Sequence, residues 1–126
     1  MAIGDRRRLF GQHGEQRAAQ FLRNLGYVIV ERNYRCPRGE IDLVAQDKET
    51  LVFVEVRTHR SREFGNPLAS VNKRKQRQIA MTALHYLSRF QLHDHAARFD
   101  VIGIMGEGDT AQLTHVKAAF EFPTAR

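Results

Sequence analysis

The chain has 126 residues, enough for one domain with a real core, expected to span the whole sequence with residues 1–8 and 123–126 frayed. Lysine and arginine total 20 against 14 acidic residues, a net charge of +6, and such a surplus on a small domain favours a polyanionic partner. No run approaches the roughly 20 apolar residues of a membrane helix, no apolar signal segment follows the charged start, and the single Cys36 cannot form an internal disulfide. A membrane partner is therefore not expected, and the cytoplasm is the expected location.

Residues Leu9 to Leu25 read as a helix with Ala18, Phe21, Leu22 and Leu25 as its apolar stripe and Gly26 as its stop. Tyr27 to Tyr34, rich in β-branched and aromatic residues, reads as a strand, and Cys36-Pro37-Arg38-Gly39 turns the chain. Gly39 to Ala45 and Leu51 to Arg57 read as two more strands, joined by the polar loop Gln46 to Thr50. Thr58 to Ser70, broken by Gly65, Asn66 and Pro67, reads as an exposed, mobile loop carrying Arg60, Arg62 and Glu63. A second helix is expected from Ser70 to Arg89, burying Ile79, Ala80, Ala83, Leu84 and Leu87. After the polar connection Gln91 to Ala97 come a strand at Arg98 to Met105, a turn at Gly106 to Asp109 and a weaker strand at Ala111 to Val116. The order α-β-β-β-α-β-β predicts an α/β fold, a mixed sheet flanked by helices.

Two acids interrupt apolar strands. A register that sets Asp42 opposite Glu55 puts both on one face, with β-carbons roughly 5 Å apart, where like charges repel. A divalent cation held by carboxylates would relieve that repulsion. The same register sets Glu40 opposite Arg57, which leaves a plain cross-strand salt bridge as the alternative reading. Arg57 follows Glu55 by two residues on the same side; it can hold a phosphate and offset transition-state charge, but it does not act as a base. Glu15 borders the inward face of the first helix and either reaches the same site or serves the helix dipole. Arg57, Arg60, Arg62, Lys73, Arg74, Lys75 and Arg77 cluster between residues 57 and 77, which points to nucleic acid. Lys75 and Gln76 continue the buried stripe of the second helix, so one of them is expected to face the site, with Lys73, Arg74 and Arg77 on backbone phosphates.

Gly14-Glu15, Gly26-Tyr27, Asn33-Tyr34-Arg35, Gly39-Glu40-Ile41-Asp42-Leu43-Val44, Phe53-Val54-Glu55-Val56-Arg57, Gly65, Lys75-Gln76-Arg77 and Arg98-Phe99-Asp100-Val101 occur in an order that resembles the bacterial YraN-like family of uncharacterised proteins. That family is similar to archaeal Holliday-junction resolvases of the PD-(D/E)xK nuclease superfamily. The resemblance implies a restriction-endonuclease-like core over one nuclease-like domain. It implies Asp42 and Glu55 as the motif acids, Glu15 as the helix glutamate and the Val56 carbonyl as a further ligand of Mg²⁺ or Mn²⁺. Arg57 stands where the superfamily usually has lysine. The implied activity is metal-dependent endonucleolytic cleavage of DNA, branched or single-stranded, by Glu15, Asp42, Glu55 and Arg57, with Arg60, Lys73, Arg74, Lys75 and Arg77 binding the nucleic acid and a homodimer as the working form. The alternative is a catalytically weak or inactive nucleic-acid-binding module on a nuclease fold.

Overall fold

A computed structural model of the protein describes residues 3–60 and 65–123, with side chains from Gly11 onward. Helix α1 (Ile3–Asn24) starts upstream of the expected Leu9. It is followed by strands β1 (Val28–Cys36), β2 (Gly39–Asp47) and β3 (Thr50–His59), helix α2 (Lys73–Arg89), and strands β4 (Ala97–Met105) and β5 (Gln112–Phe120). The sheet order is β1-β2-β3-β4-β5, antiparallel throughout except for the parallel β3–β4 pair. The α2 crossover between β3 and β4 is what permits that parallel pair. This is the expected mixed sheet with one helix on each face, consistent with a restriction-endonuclease-like fold. Among the described residues no helix is long and apolar enough to cross a membrane. In the segment read as a loop, Pro67–Ser70 forms a short 3-10 helix, while Arg62 and Glu63 lie outside the described residues.

Each face of the sheet has its own core. On one side Ala18, Ala19 and Leu22 of α1 pack against Leu43, Ala45, Val52, Val54, Ile102 and Ile104. On the other, Ile79, Ala80, Ala83, Tyr86 and Leu87 of α2 cover Val44, Leu51, Phe53, Phe99 and Val101. β3 therefore buries both faces, as its near-continuous apolar run requires. Two residues expected in the helix cores are outside them. Leu25 follows the end of α1 and is 53% exposed, and Leu84 is 44% exposed because Thr82 and Tyr86 take the inward positions of α2. Gly26, at φ +94°, ends α1 as expected and lets Tyr27 N–H return to the Leu22 carbonyl (3.0 Å). The β2–β3 connection is tighter than the expected five-residue loop, since only Lys48 and Glu49 lie between the strands, with Lys48 at φ +56°.

Arg98 and Asp100 fasten the far end of the sheet. Asp100 is fully buried; it accepts from Arg98 Nε (3.0 Å) and Ala118 N (3.0 Å) and pairs with His115 Nε2 (2.7 Å). Burial alone would raise its pKa, but the hydrogen bonds from His115, Ala118 and Arg98 hold it below the usual carboxylate value. Arg98 also reaches Asp47 (3.1 Å) and the Tyr27 hydroxyl (2.7 Å), tying β4 to the end of β2. The β4–β5 ladder shifts register beside Asp100, which carries β5 on to Phe120, beyond the expected Val116.

Helix α1 lies close against β3 at Gly14. A methyl group there would overlap Cγ2 of Thr58, while its other neighbours lie at ordinary contact distances. Gly14→Ala should therefore destabilise the protein by about 1 kcal/mol, overpacking outweighing the gain in helix propensity. In a Thr58→Ser background, which lacks the clashing methyl, the same change should stabilise by about 0.5–1 kcal/mol. Urea denaturation of the four proteins reads this sign reversal; a Gly14→Ala effect of the same sign in both backgrounds would contradict the packing.

Candidate active site

The site forms where β2 leaves β3. The β2–β3 ladder runs from Asp47↔Thr50 to Leu43↔Val54 and ends there, one step short of the expected pairing of Asp42 with Glu55. There Asp42 Oδ2 accepts the Val56 N–H at 2.8 Å, taking the role of a strand carbonyl. Residues 39–41 of β2 continue in register with β1, through Cys36↔Gly39, Arg35↔Glu40 and Tyr34↔Ile41.

Three carboxylates meet at this split. Glu15 from α1 and Glu40 and Asp42 from β2, all half-buried, can each place one oxygen within 4.8 Å of the others. Gly14 seats α1 against β3 and so sets the depth of Glu15. Asn33 crosses from β1 at φ +53°, a conformation asparagine adopts more readily than most residues. With its amide nitrogen turned toward the acids, it donates to Glu15 Oε1 and Glu40 Oε1, 3.1 Å each. The other oxygen of Glu40 accepts from Arg35 Nε at 3.1 Å.

Glu55 lies on the α2 side, only 5% exposed. Arg57 approaches it at 3.4 Å and Lys75 Nζ at 4.0 Å. Arg57 Nε also donates to Ser70 Oγ (3.2 Å), whose hydroxyl donates to the Pro67 carbonyl (2.8 Å). Asn72 caps α2 by accepting Lys75 N–H at 2.8 Å, so the helix start that carries Lys75 is fixed beside Glu55.

Burial and mutual repulsion make these acids weak. Glu15 is pushed up to about 7, first by burial and then by the charge of Asp42. Glu55 is pushed up to about 8 by burial and by Asp42, against the pull of Lys75 and Arg57. Asp42 is raised by burial, with the Val56 N–H opposing.

The Glu40–Arg57 salt bridge of the alternative reading is not formed; Glu40 pairs with Arg35 on the neighbouring strand, and Arg57 turns to Ser70 and Glu55. The structure thus adds Glu40 to the acids and Asn33 as their hydrogen-bond donor, where the sequence pointed to Asp42, Glu55 and Glu15. The basic cluster is divided. Lys75 faces Glu55, whereas Lys73, Arg74 and Arg77 are exposed on the first turns of α2. Arg60 is ion-paired with Glu107 (3.2 Å) and lines a cavity of about 390 Å³ shared with Gly14 and Arg17 of α1.

An α/β domain with a mixed sheet, split at one edge to gather acidic side chains from a strand and a helix, defines the class. Residues 14–104 match the uncharacterised protein family UPF0102. The chain is 50% identical over 114 residues to a UPF0102 protein of Pelobacter propionicus, covering 88% of this chain and 81% of that protein. It is 44% identical over 117 residues to a UPF0102 protein of Desulfosudis oleivorans (93% and 94% covered) and 47% identical over 111 residues to one of Geobacter metallireducens (88% and 91%). The chain belongs to family UPF0102.

A carboxyl group whose pKa is higher in the folded than in the unfolded state holds its proton in the fold alone, so its contribution to stability falls as pH rises from about 4.5 toward 8. With a chelator present, Glu55→Gln should therefore melt higher than the wild type at pH 8, by several degrees, and the gap should shrink toward pH 5. Calorimetry across that range is the check; a gap that is constant or that widens toward acid would show that Glu55 is not strained by ionisation.

Proposed function

We propose that this protein is a Mg²⁺- or Mn²⁺-dependent endonuclease of Holliday-junction-resolvase type, hydrolysing phosphodiester bonds in branched or single-stranded DNA. The carrying observation is the convergence of Glu15, Glu40 and Asp42 to within 4.8 Å, beside Glu55 and two cationic side chains. The donors are all hard oxygens, the set that Mg²⁺ and Mn²⁺ prefer and that soft metals do not. Glu15, Glu40 and Asp42 would hold the ion, with the Val56 carbonyl as a further ligand. The ion would supply Lewis acidity toward a phosphate oxygen and a more acidic water.

The remaining work belongs to the protein's own groups. Asn33 keeps Glu15 and Glu40 aimed inward by donating to one oxygen of each. Glu55, protonated near neutral pH in the metal-free protein, would lose its proton as positive charge enters and then complete the ligand set. Arg57, always charged and fixed by Ser70, would offset charge on the phosphate. Lys75 supplies from α2 the amine that β3 lacks at position 57, and its Nζ already lies 4.0 Å from Glu55 Oε2. One observation favours a second reading, binding without cleavage. Arg57 occupies the motif lysine's place and is engaged with Ser70 and Glu55, and guanidinium does not release a proton.

Two measurements test the proposal. Mg²⁺ or Mn²⁺ should raise the melting temperature of the wild type, more at pH 8 than at pH 6, and the rise should vanish in Asp42→Asn. Purified protein with either ion should cut branched or single-stranded DNA, with Arg57→Ala slower by on the order of 100-fold and Asp42→Ala/Glu55→Ala inactive. Cleavage that persists in the double variant would identify a contaminant, and salt-sensitive binding without products would select the binding module.

A further inference from the structure

The β1–β2 turn and the outer side of α2 enclose a groove of about 320 Å³ lined by Arg38, Arg74, Arg77, Gln78 and Met81. All three arginines are exposed, and no acidic side chain lines the groove. Three like charges directed into one concavity repel one another unless an anion lies between them. The arrangement is built into the backbone. Gly39 has φ +149°, and a Cβ there would sit 3.0 Å from Thr82 Oγ1 and 3.1 Å from Gln78 Cγ. A residue without a side chain is thus what allows the turn to press onto α2, and this brings Arg38 beside Arg74 and Arg77. The Arg38 N–H donates to Cys36 Sγ at 3.4 Å, which helps fix the turn.

Both walls of the groove continue along the chain into the carboxylate centre. Gly39 precedes Glu40 on β2, and Lys75, whose Nζ lies 4.0 Å from Glu55, sits between Arg74 and Arg77 on α2. The other cationic candidates differ. Arg60 is paired with Glu107, and Lys73 lines a smaller cavity of about 130 Å³ that also contains Glu121 and that Arg77 borders as well.

We infer that Arg38, Arg74 and Arg77 clamp the phosphodiester backbone of the nucleic acid strand that enters the carboxylate centre, so that the strand runs along α2 and the β1–β2 turn. Guanidinium groups suit this task because their forked donors match phosphate oxygens. No aromatic side chain lines the groove, so contact is to the backbone and independent of base sequence. The role of the centre rests on the nuclease reading above; the affinity of the groove for phosphodiesters does not.

The test is fluorescence anisotropy of a labelled single-stranded oligonucleotide with the full chain, in chelator, across a salt series. The triple variant Arg38→Gln/Arg74→Gln/Arg77→Gln should bind at least about 10-fold more weakly, and its log K against log salt should be shallower by about 2, as expected for three lost phosphate contacts. The control Arg23→Gln/Arg32→Gln, at exposed positions outside the groove, should stay within about 2-fold of wild type. Circular dichroism verifies that the triple variant is folded; if it is not, Arg38→Gln alone carries the test, with an expected loss of about 2–3-fold. Unchanged affinity and salt slope in the folded variant would overturn the groove. The two readings fail separately: wild type that binds through the arginines yet never cuts sinks the nuclease alone, and cleavage with binding unaffected by the triple variant sinks the groove alone.

Discussion

The hydrogen bond from Val56 N–H to Asp42 is the constraint on which the site depends. A side chain there does what a strand carbonyl would otherwise do, so β2 and β3 can separate without leaving a buried donor unpaired. Once they separate, residues 39–41 of β2 follow β1 alone, and Glu40 is free to turn toward α1. Gly14 completes the opening, since only a helix position without a side chain lets Glu15 approach so closely past Thr58. The gathering of acids is thus a consequence of how one strand pair ends.

The electrostatics follow from that gathering. The chain is basic overall, at +6, yet the half-buried Glu15, Glu40 and Asp42 face one another. Asp100 shows the contrast. It is fully buried but surrounded by Arg98, His115 and a backbone N–H, and its pKa is lowered. Glu55 has cations only at 3.4 and 4.0 Å and Asp42 as a like-charged neighbour, and its pKa rises to about 8. Two buried carboxyls in one small domain thus behave in opposite ways because one has close, short-range donors and the other does not. Asp100 is satisfied as it stands, whereas Asp42 and Glu55, buried beside each other, both have raised pKa values.

Much of this was legible in the sequence. Apolar periodicity gave both helices and the order of the strands, and acid spacing gave the register of the β2–β3 ladder, which ends at Leu43↔Val54 just before the two acids. What escaped reading has definite causes. Glu40 does not stand out as a site acid because alternation treats β2 as paired with β3 along its whole length, opposite Arg57, whereas the pairing stops at Leu43. Asn33 reaches the acids through a positive φ inside a strand, which no side-chain periodicity records. The basic cluster looked continuous because its members are close in sequence; Arg60, beyond the end of β3, pairs instead with Glu107. Arg38 was read only as part of a turn, since its proximity to α2 depends on a tertiary contact at Gly39.

The start of α2 carries four consecutive or near-consecutive cations, Lys73, Arg74, Lys75 and Arg77, with no acid in its first turn. Such a start opposes the helix dipole by a few tenths of a kcal/mol per charge, and propensity alone would place these residues at the other end. The fold tolerates it because Asn72 caps the helix and Gln76 Nε2 binds the Val71 carbonyl, while Ser70 just upstream is fastened to Arg57. These contacts hold the helix start against β3 independently of its charge. The unfavourable placement is therefore not a requirement of folding, since neutral polar residues at 73, 74, 75 and 77 would satisfy the same caps. Its physical consequence is local: an amine beside Glu55 on one side of the helix start and guanidinium groups opening into a groove on the other, a concentration of positive charge that the fold itself does not require.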